Sequence, residues 1–110
     1  MHAFDVLGDP VRRRILELLA AGEHSSGALT TVIQRDFGIS QPAASQHLRV
    51  LRENGFATVR AEGTRRLYAV RPEPMREAGV WLEQFWNQHL DALATELARG
   101  RSRARKDNHA

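Results

Sequence analysis

Residues 38–55 lay two opposed faces on a single helix, and no other stretch of this 110-residue chain constrains its folding as tightly. Gly38 breaks the preceding segment. Ser40 offers a side-chain oxygen to the first free N–H groups, and Pro42 sits in the first turn, where a missing N–H costs nothing. Gly55 falls just past the end of roughly four turns. Ala44, Leu48 and Leu51 stand at i, i+4 and i+7 and must face a core, with Val50 flanking them. Gln41, Ser45, Gln46, Arg49 and Arg52 fill the other side. That side has no apolar reason to exist, and its groups are of the kind that hydrogen-bond base edges and phosphates.

The flanking sequence supplies partners for the inner stripe. Asp9-Pro10 starts a helix that buries Val11, Ile15, Leu18 and Leu19 and closes at Gly22; Arg12, Arg13 and Arg14 lie largely off its stripe. Ser25-Ser26 caps a second helix carrying Leu29, Val32 and Ile33. A helix, a short turn at Gly38 and a helix with a polar outer face form a helix-turn-helix pattern. Residues 56–61 and 65–70, split by Glu62-Gly63-Thr64, read as a β-hairpin with Arg65 and Arg66 at its tip.

Pro72-Glu73-Pro74 opens a last helix bearing Val80, Trp81, Leu82, Phe85, Trp86, Leu90, Leu93 and Leu97. A domain of this size is short of core, and that stripe is wider than it can cover, so the helix is expected to pack against its copy in a second subunit. A core helix within one chain is the alternative, because periodicity does not say whose core a face meets. The expected organisation is one domain over residues 1–98 and a basic, disordered tail over 99–110.

Charge agrees with a polyanionic partner. Sixteen Lys and Arg oppose thirteen Asp and Glu, and Lys106 is the one lysine. Residues 1–71 carry +3, residues 72–98 carry −4 and residues 99–110 carry +4. Arginine in such excess suits forked contacts to phosphate and base edges. With no cysteine, disulfides, thiolate metal sites and thiol nucleophiles are excluded. No apolar run approaches the ~18 residues of a membrane span and no leader pattern opens the chain, so a cytoplasmic location is expected. Enzymatic readings lack a constellation: there is no Gly-rich phosphate loop, nucleophile elbow, metalloprotease spacing or paired carboxylates in a plausible cleft.

Three segments in this order resemble the ArsR/SmtB family of winged helix-turn-helix repressors. They are Leu7-Gly8-Asp9-Pro10-Val11-Arg12-Arg13-Arg14-Ile15-Leu16, then Ile39-Ser40-Gln41-Pro42-Ala43-Ala44-Ser45-Gln46-His47-Leu48-Arg49-Val50-Leu51-Arg52, and Gly63-Thr64-Arg65-Arg66-Leu67-Tyr68. The resemblance implies a mainly α (α+β) fold with a two-stranded β-hairpin wing and a C-terminal dimerisation helix. It implies a homodimer on double-stranded DNA, with recognition helices in successive major grooves of a pseudo-palindromic operator ~34 Å apart, acting as an autoregulatory repressor.

Mapped onto this chain, the base-facing positions fall on Gln41, Pro42, Ser45 and Gln46, with Gln46 suited to adenine; Arg49 and Arg52 lie further along and suit phosphates. Arg60, Arg65 and Arg66 are expected at the DNA backbone or minor groove, only one of the tip pair making the main contact because strand neighbours point oppositely. Trp81, Leu82, Phe85, Trp86, Leu90 and Leu93 are the expected dimer face. His47, beside Ala44, Leu48 and Leu51, is read as a packed, hydrogen-bonded structural residue rather than a base reader or pH switch.

The chain departs from the family where many members sense metals. The Cys-x-Cys positions hold Ser25 and Gly27, and Asn87, His89 and Asp91 lack the second His-x-x-His pair of the other known site. No metal or cofactor is expected, and the resemblance supplies no effector. Residues 27–40 are about one helical turn longer than in most relatives, with helix continuation the simpler outcome. An architectural DNA-compacting protein and a protein-binding winged helix are the competing functions. The first would lose affinity with salt without preferring a site, and the second would tolerate Gln46→Ala and Arg49→Ala.

Overall fold

A computed structural model describes residues 3–108, with side chains described as far as residue 100. Helices α1 (Ala3–Leu7) and α2 (Pro10–Ala20) precede a two-residue strand β1 (His24–Ser25). Helices α3 (Ser26–Phe37) and α4 (Gln41–Glu53) and strands β2 (Ala57–Glu62) and β3 (Arg65–Val70) follow. Helix α5 (Pro72–Phe85), a π-helical turn (Trp86–Leu90) and α6 (Asp91–Asn108) complete the chain. Two compact units result, residues 1–76 and residues 77–110.

In the first unit the helix boundaries follow the capping chemistry. Asp9 accepts from the N–H groups of Val11 and Arg12 at 2.8 and 3.3 Å, and Ser25 and Ser40 accept from Ala28 and Ala43 at 3.1 and 3.2 Å. Gly38 ends α3 at φ 64°, a left-handed conformation that glycine takes without penalty, and its N–H reaches the Gln34 carbonyl at 2.9 Å. Residues 27–37 thus continue the helix rather than loop outward. Val6, Ile15, Leu29, Ile33 and Leu51 are sealed at the centre of one core, joined by Leu19, Ala44, Leu48, Phe56 and Tyr68.

Helix α1 gives no signal in the sequence, because its stability comes from elsewhere. Arg12 Nε donates to the Val6 carbonyl at 2.9 Å and Nη2 to that of Asp5 at 2.9 Å, while Arg13 Nη1 donates to Leu7 at 2.7 Å. Those carbonyls are the ones a short helix leaves without partners at its C-terminus.

The wing hairpin pairs Ala57 with Val70 through Glu62 with Arg65, leaving Gly63-Thr64 as a two-residue loop with Gly63 at φ 64°. The two-stranded wing is as expected, and its sheet gains a third strand outside the hairpin. β1 pairs His24 with Tyr68 and Ser25 with Leu67, so the antiparallel sheet runs β1-β3-β2. Two residues are too few for strand alternation to show in a sequence.

In the second unit Trp81 and Phe85 stack with centroids 5.3 Å apart, and Phe85 meets His89 at 4.9 Å. The π turn adds a residue to one helical turn and so rotates Leu93 and Leu97 by roughly 100° relative to the positions before it. α6 continues to Asn108, through the 99–106 segment expected to be disordered. Arginine, alanine and lysine are good helix formers, whereas the expectation rested on low complexity and charge.

Candidate nucleic-acid interface

Gln41, Pro42, Gln46 and Arg49 are exposed on α4, while Ser45 and Arg52 are half-buried at its edge. The inner stripe of Ala44, Leu48 and Leu51 holds this orientation by its burial. Gln41 Nε2 donates to Ser45 Oγ at 2.8 Å, joining two of the four expected base-facing positions one turn apart. Gln46 makes no side-chain hydrogen bond to any described residue.

Beside this face, Ser45, Leu48, Arg49 and Arg52 of α4 meet Arg66 and Tyr68 of β3 and Ser26 of α3 around a cleft of about 190 Å³. The register explains which wing arginine takes part. Arg66 lies opposite Ala61 and shares its face with Tyr68, whereas Arg65 lies opposite Glu62 on the other face. Arg65 lines a separate cavity, with Thr64, Ser25 and Gly27, that shares Ser26 and Arg66 with the cleft. Among the described residues no carboxylate lies within 4.0 Å of Arg49, Arg52, Arg65 or Arg66.

Arg60 is placed differently. Its Nε and Nη2 fork onto Glu23 at 2.9 and 2.8 Å, and Nη1 reaches Glu62 at 3.0 Å. The hydrogen bond from Arg60 holds the Glu23 carboxyl below its ordinary pKa, outweighing the opposing effect of desolvation, and the guanidinium's charge adds a lesser push downward. The same contacts raise the pKa of Arg60. Arg60 is expected from the sequence to meet DNA, yet it is outside the cleft and its fork is occupied, because Glu23 in the α2–β1 loop gives no sign in the sequence of approaching β2.

One other expectation changes in detail. His47 is partly buried, but its Nδ1 is sealed without a hydrogen-bond partner among the described residues, so the packed ring lacks the bond expected of it. The aromatic face of the last helix stands open: Trp81, Leu82, Phe85, Trp86 and Leu93 are exposed, Trp86 by 58%, and Leu90 is half-buried. His89 belongs to no group of three His, Cys, Asp or Glu able to hold a metal among the described residues. Nor is any described helix long and apolar enough to cross a membrane.

Ser26 and Tyr68 are cleft residues that sequence reasoning missed. Ser26 reads as a cap and Tyr68 as a core aromatic, though strand alternation already sets Tyr68 on the face of Arg66.

Comparison with known proteins fits this geometry. A helix-turn-helix domain family matches residues 7–60, from the end of α1 into β2. An HTH-type transcriptional regulator of Mycobacterium tuberculosis is 38% identical over 93 residues, covering 84% of this chain and 83% of that protein. The chain is also 33% identical over 90 residues to the arsenical resistance operon repressor of Staphylococcus xylosus, covering 82% of this chain and 75% of that one. The chain belongs to the ArsR family of winged helix-turn-helix transcriptional regulators. The solution structure of a homodimeric winged helix-turn-helix DNA-binding domain from Mycobacterium bovis superimposes with a TM-score of 0.57 at 29% identity, covering 82% of this chain and 80% of that one. The protein is thus a DNA-binding regulator of transcription, and α4 carries its exposed polar face.

Proposed function

We propose that the protein is a homodimeric, autoregulatory repressor that binds a pseudo-palindromic operator through two copies of α4. The observation that carries this reading is a division among its arginines. Arg12, Arg13, Arg14 and Arg60 are engaged by carbonyls or carboxylates of the fold, whereas Arg49, Arg52, Arg65 and Arg66 flank Gln41, Ser45 and Gln46 with no described acid to neutralise them. An uncompensated guanidinium group beside neutral amide and hydroxyl groups suits a phosphate backbone with base edges beyond it.

In this reading Gln41, Pro42, Ser45 and Gln46 face bases in the major groove, and Arg49, Arg52, Arg65 and Arg66 hold phosphates. Arg60 acts at one remove, bracing the wing through Glu23. Trp81, Leu82, Phe85, Trp86, Leu90 and Leu93 close the dimer, which spaces the two recognition helices about one duplex turn apart. Repression and dimerisation are carried over from the Staphylococcus repressor and the homodimeric Mycobacterium domain. A cytoplasmic site of action follows from a chromosomal target.

The test is binding of the purified protein to the DNA upstream of its own coding sequence and to a shuffled duplex of equal length, at two salt concentrations. The expected result is a preference for the upstream duplex that survives at the higher salt. Equal binding to both, abolished by salt, assigns the protein to the architectural class instead.

A further inference from the structure

The cleft beside α4 is furnished almost wholly with hydrogen-bond donors. Arg49, Arg52 and Arg66 supply guanidinium groups from two elements, and Ser26 and Ser45 add hydroxyls. Ser26 opens the 12-residue helix α3 and brings the positive end of its dipole to the same place.

Tyr68 is the independent observation. It is only 5% exposed, with its ring in the core, yet it lines the cleft and its hydroxyl bonds to no described residue. That oxygen is not sealed: among the described residues His47 Nδ1 is the one fully buried side-chain nitrogen or oxygen without a partner. A buried tyrosine normally satisfies its hydroxyl, and the cleft that Tyr68 lines is open to an acceptor from outside the chain.

We infer that this cleft seats one backbone phosphate of bound DNA, with Tyr68 and Ser26 as ligands beside Arg49, Arg52 and Arg66. Donors converging without a carboxylate select an acceptor-rich anion over a cation or an apolar ligand. DNA is the source, because Ser45 and Arg49 belong both to the cleft and to the outer side of α4. The inference rests on the DNA-binding reading above. It adds two ligands outside the expected set and makes the wing and α4 grip a single phosphate.

The experiment measures affinity of wild type, Tyr68→Phe, Arg66→Ala and the double variant for the upstream and shuffled duplexes across a salt series. Tyr68→Phe keeps the ring and the core, and an unchanged melting temperature verifies that. It is expected to weaken both duplexes alike, about ten-fold, leaving their ratio intact. Arg66→Ala is expected to reduce the slope of log affinity against log salt by about one. In the Arg66→Ala background Tyr68→Phe is expected to cost much less, since both hold one phosphate.

Ser26→Ala, outside the core, is expected to repeat the pattern of Tyr68→Phe. Undiminished affinity in both Tyr68→Phe and Ser26→Ala overturns the seat. A loss confined to the upstream duplex also overturns it, making Tyr68 a base-reading residue. Exchange of chloride for inorganic phosphate at equal ionic strength separates the sources. Extra inhibition in wild type that Tyr68→Phe abolishes, with DNA affinity otherwise unchanged, assigns the cleft to a free anion and overturns DNA as its source. Should wild type show no preference for the upstream duplex, the repressor reading fails while an equal Tyr68→Phe loss on both duplexes still upholds the seat.

Discussion

Residues 3–76 and residues 77–100 solve opposite problems. In the first stretch the large apolar side chains are mostly packed and the uncompensated groups are cationic; in the second the tryptophans and every leucine but the half-buried Leu90 stand in the open. Burying apolar area lowers free energy whichever chain supplies the partner, so the terminal helix is unfinished as a monomer while the winged unit is complete. In the proposed reading the contrast suits one region to DNA and the other to a second copy of the chain.

The largest expected effect breaks the contrast at the core. Leu51 is 0% exposed, and Leu51→Ala is expected to cost ~2–5 kcal/mol in chemical denaturation. Leu93→Ala, on a side chain 54% exposed, is expected to cost under ~0.5 kcal/mol at a concentration where the chain is monomeric. Equal costs would mean that Leu93 is buried within one chain.

Next in size, Trp86→Ala is expected to weaken dimerisation by about 2 kcal/mol or more in sedimentation and to weaken DNA binding through lost bivalency. A wild type that sediments as a monomer at micromolar concentration removes the dimer face from the proposal.

A smaller effect separates the arginines. Arg65→Ala and Arg66→Ala are each expected to lower the salt slope of DNA binding by about one, and Arg60→Ala to leave it unchanged, because Glu23 and Glu62 already neutralise Arg60. A reduced slope for Arg60→Ala would restore it to the DNA-contacting set.

The smallest is a pH effect at Glu23. Its carboxyl titrates lower in the folded chain than unfolded, so the ion pair stabilises fully above the ordinary carboxylate range and is lost as pH falls through the depressed folded value. Thermal melts from about pH 7 to about pH 3 are expected to show a steeper acid decline for wild type than for Glu23→Gln. Parallel curves would show that the pair adds nothing to stability.

The helix-turn-helix was legible because caps and periodicity are local: Asp9, Ser25 and Ser40 each cap the helix expected of them. What escaped depends on contacts distant in sequence. Arg60 meets Glu23 across 37 positions, and the β1 strand becomes visible only once β3 lies beside it. Helix α1 depends on arginines of the next helix, and the hydroxyl of Tyr68 draws notice only after its ring is seen to be buried. The outer side of α4 could be read at once, since nothing in the chain needs to cover it. Which wing arginine joins the cleft required the register of β2 on β3.

Sequence reading by α4 is tested most directly by the affinity ratio of upstream to shuffled duplex in Gln46→Ala beside wild type, with the dimer checked in both. The expected result is a loss of ~1–3 kcal/mol on the upstream duplex, little change on the shuffled one, and an intact dimer. An equal loss on both duplexes would contradict base reading by α4 and leave it only a phosphate-binding surface.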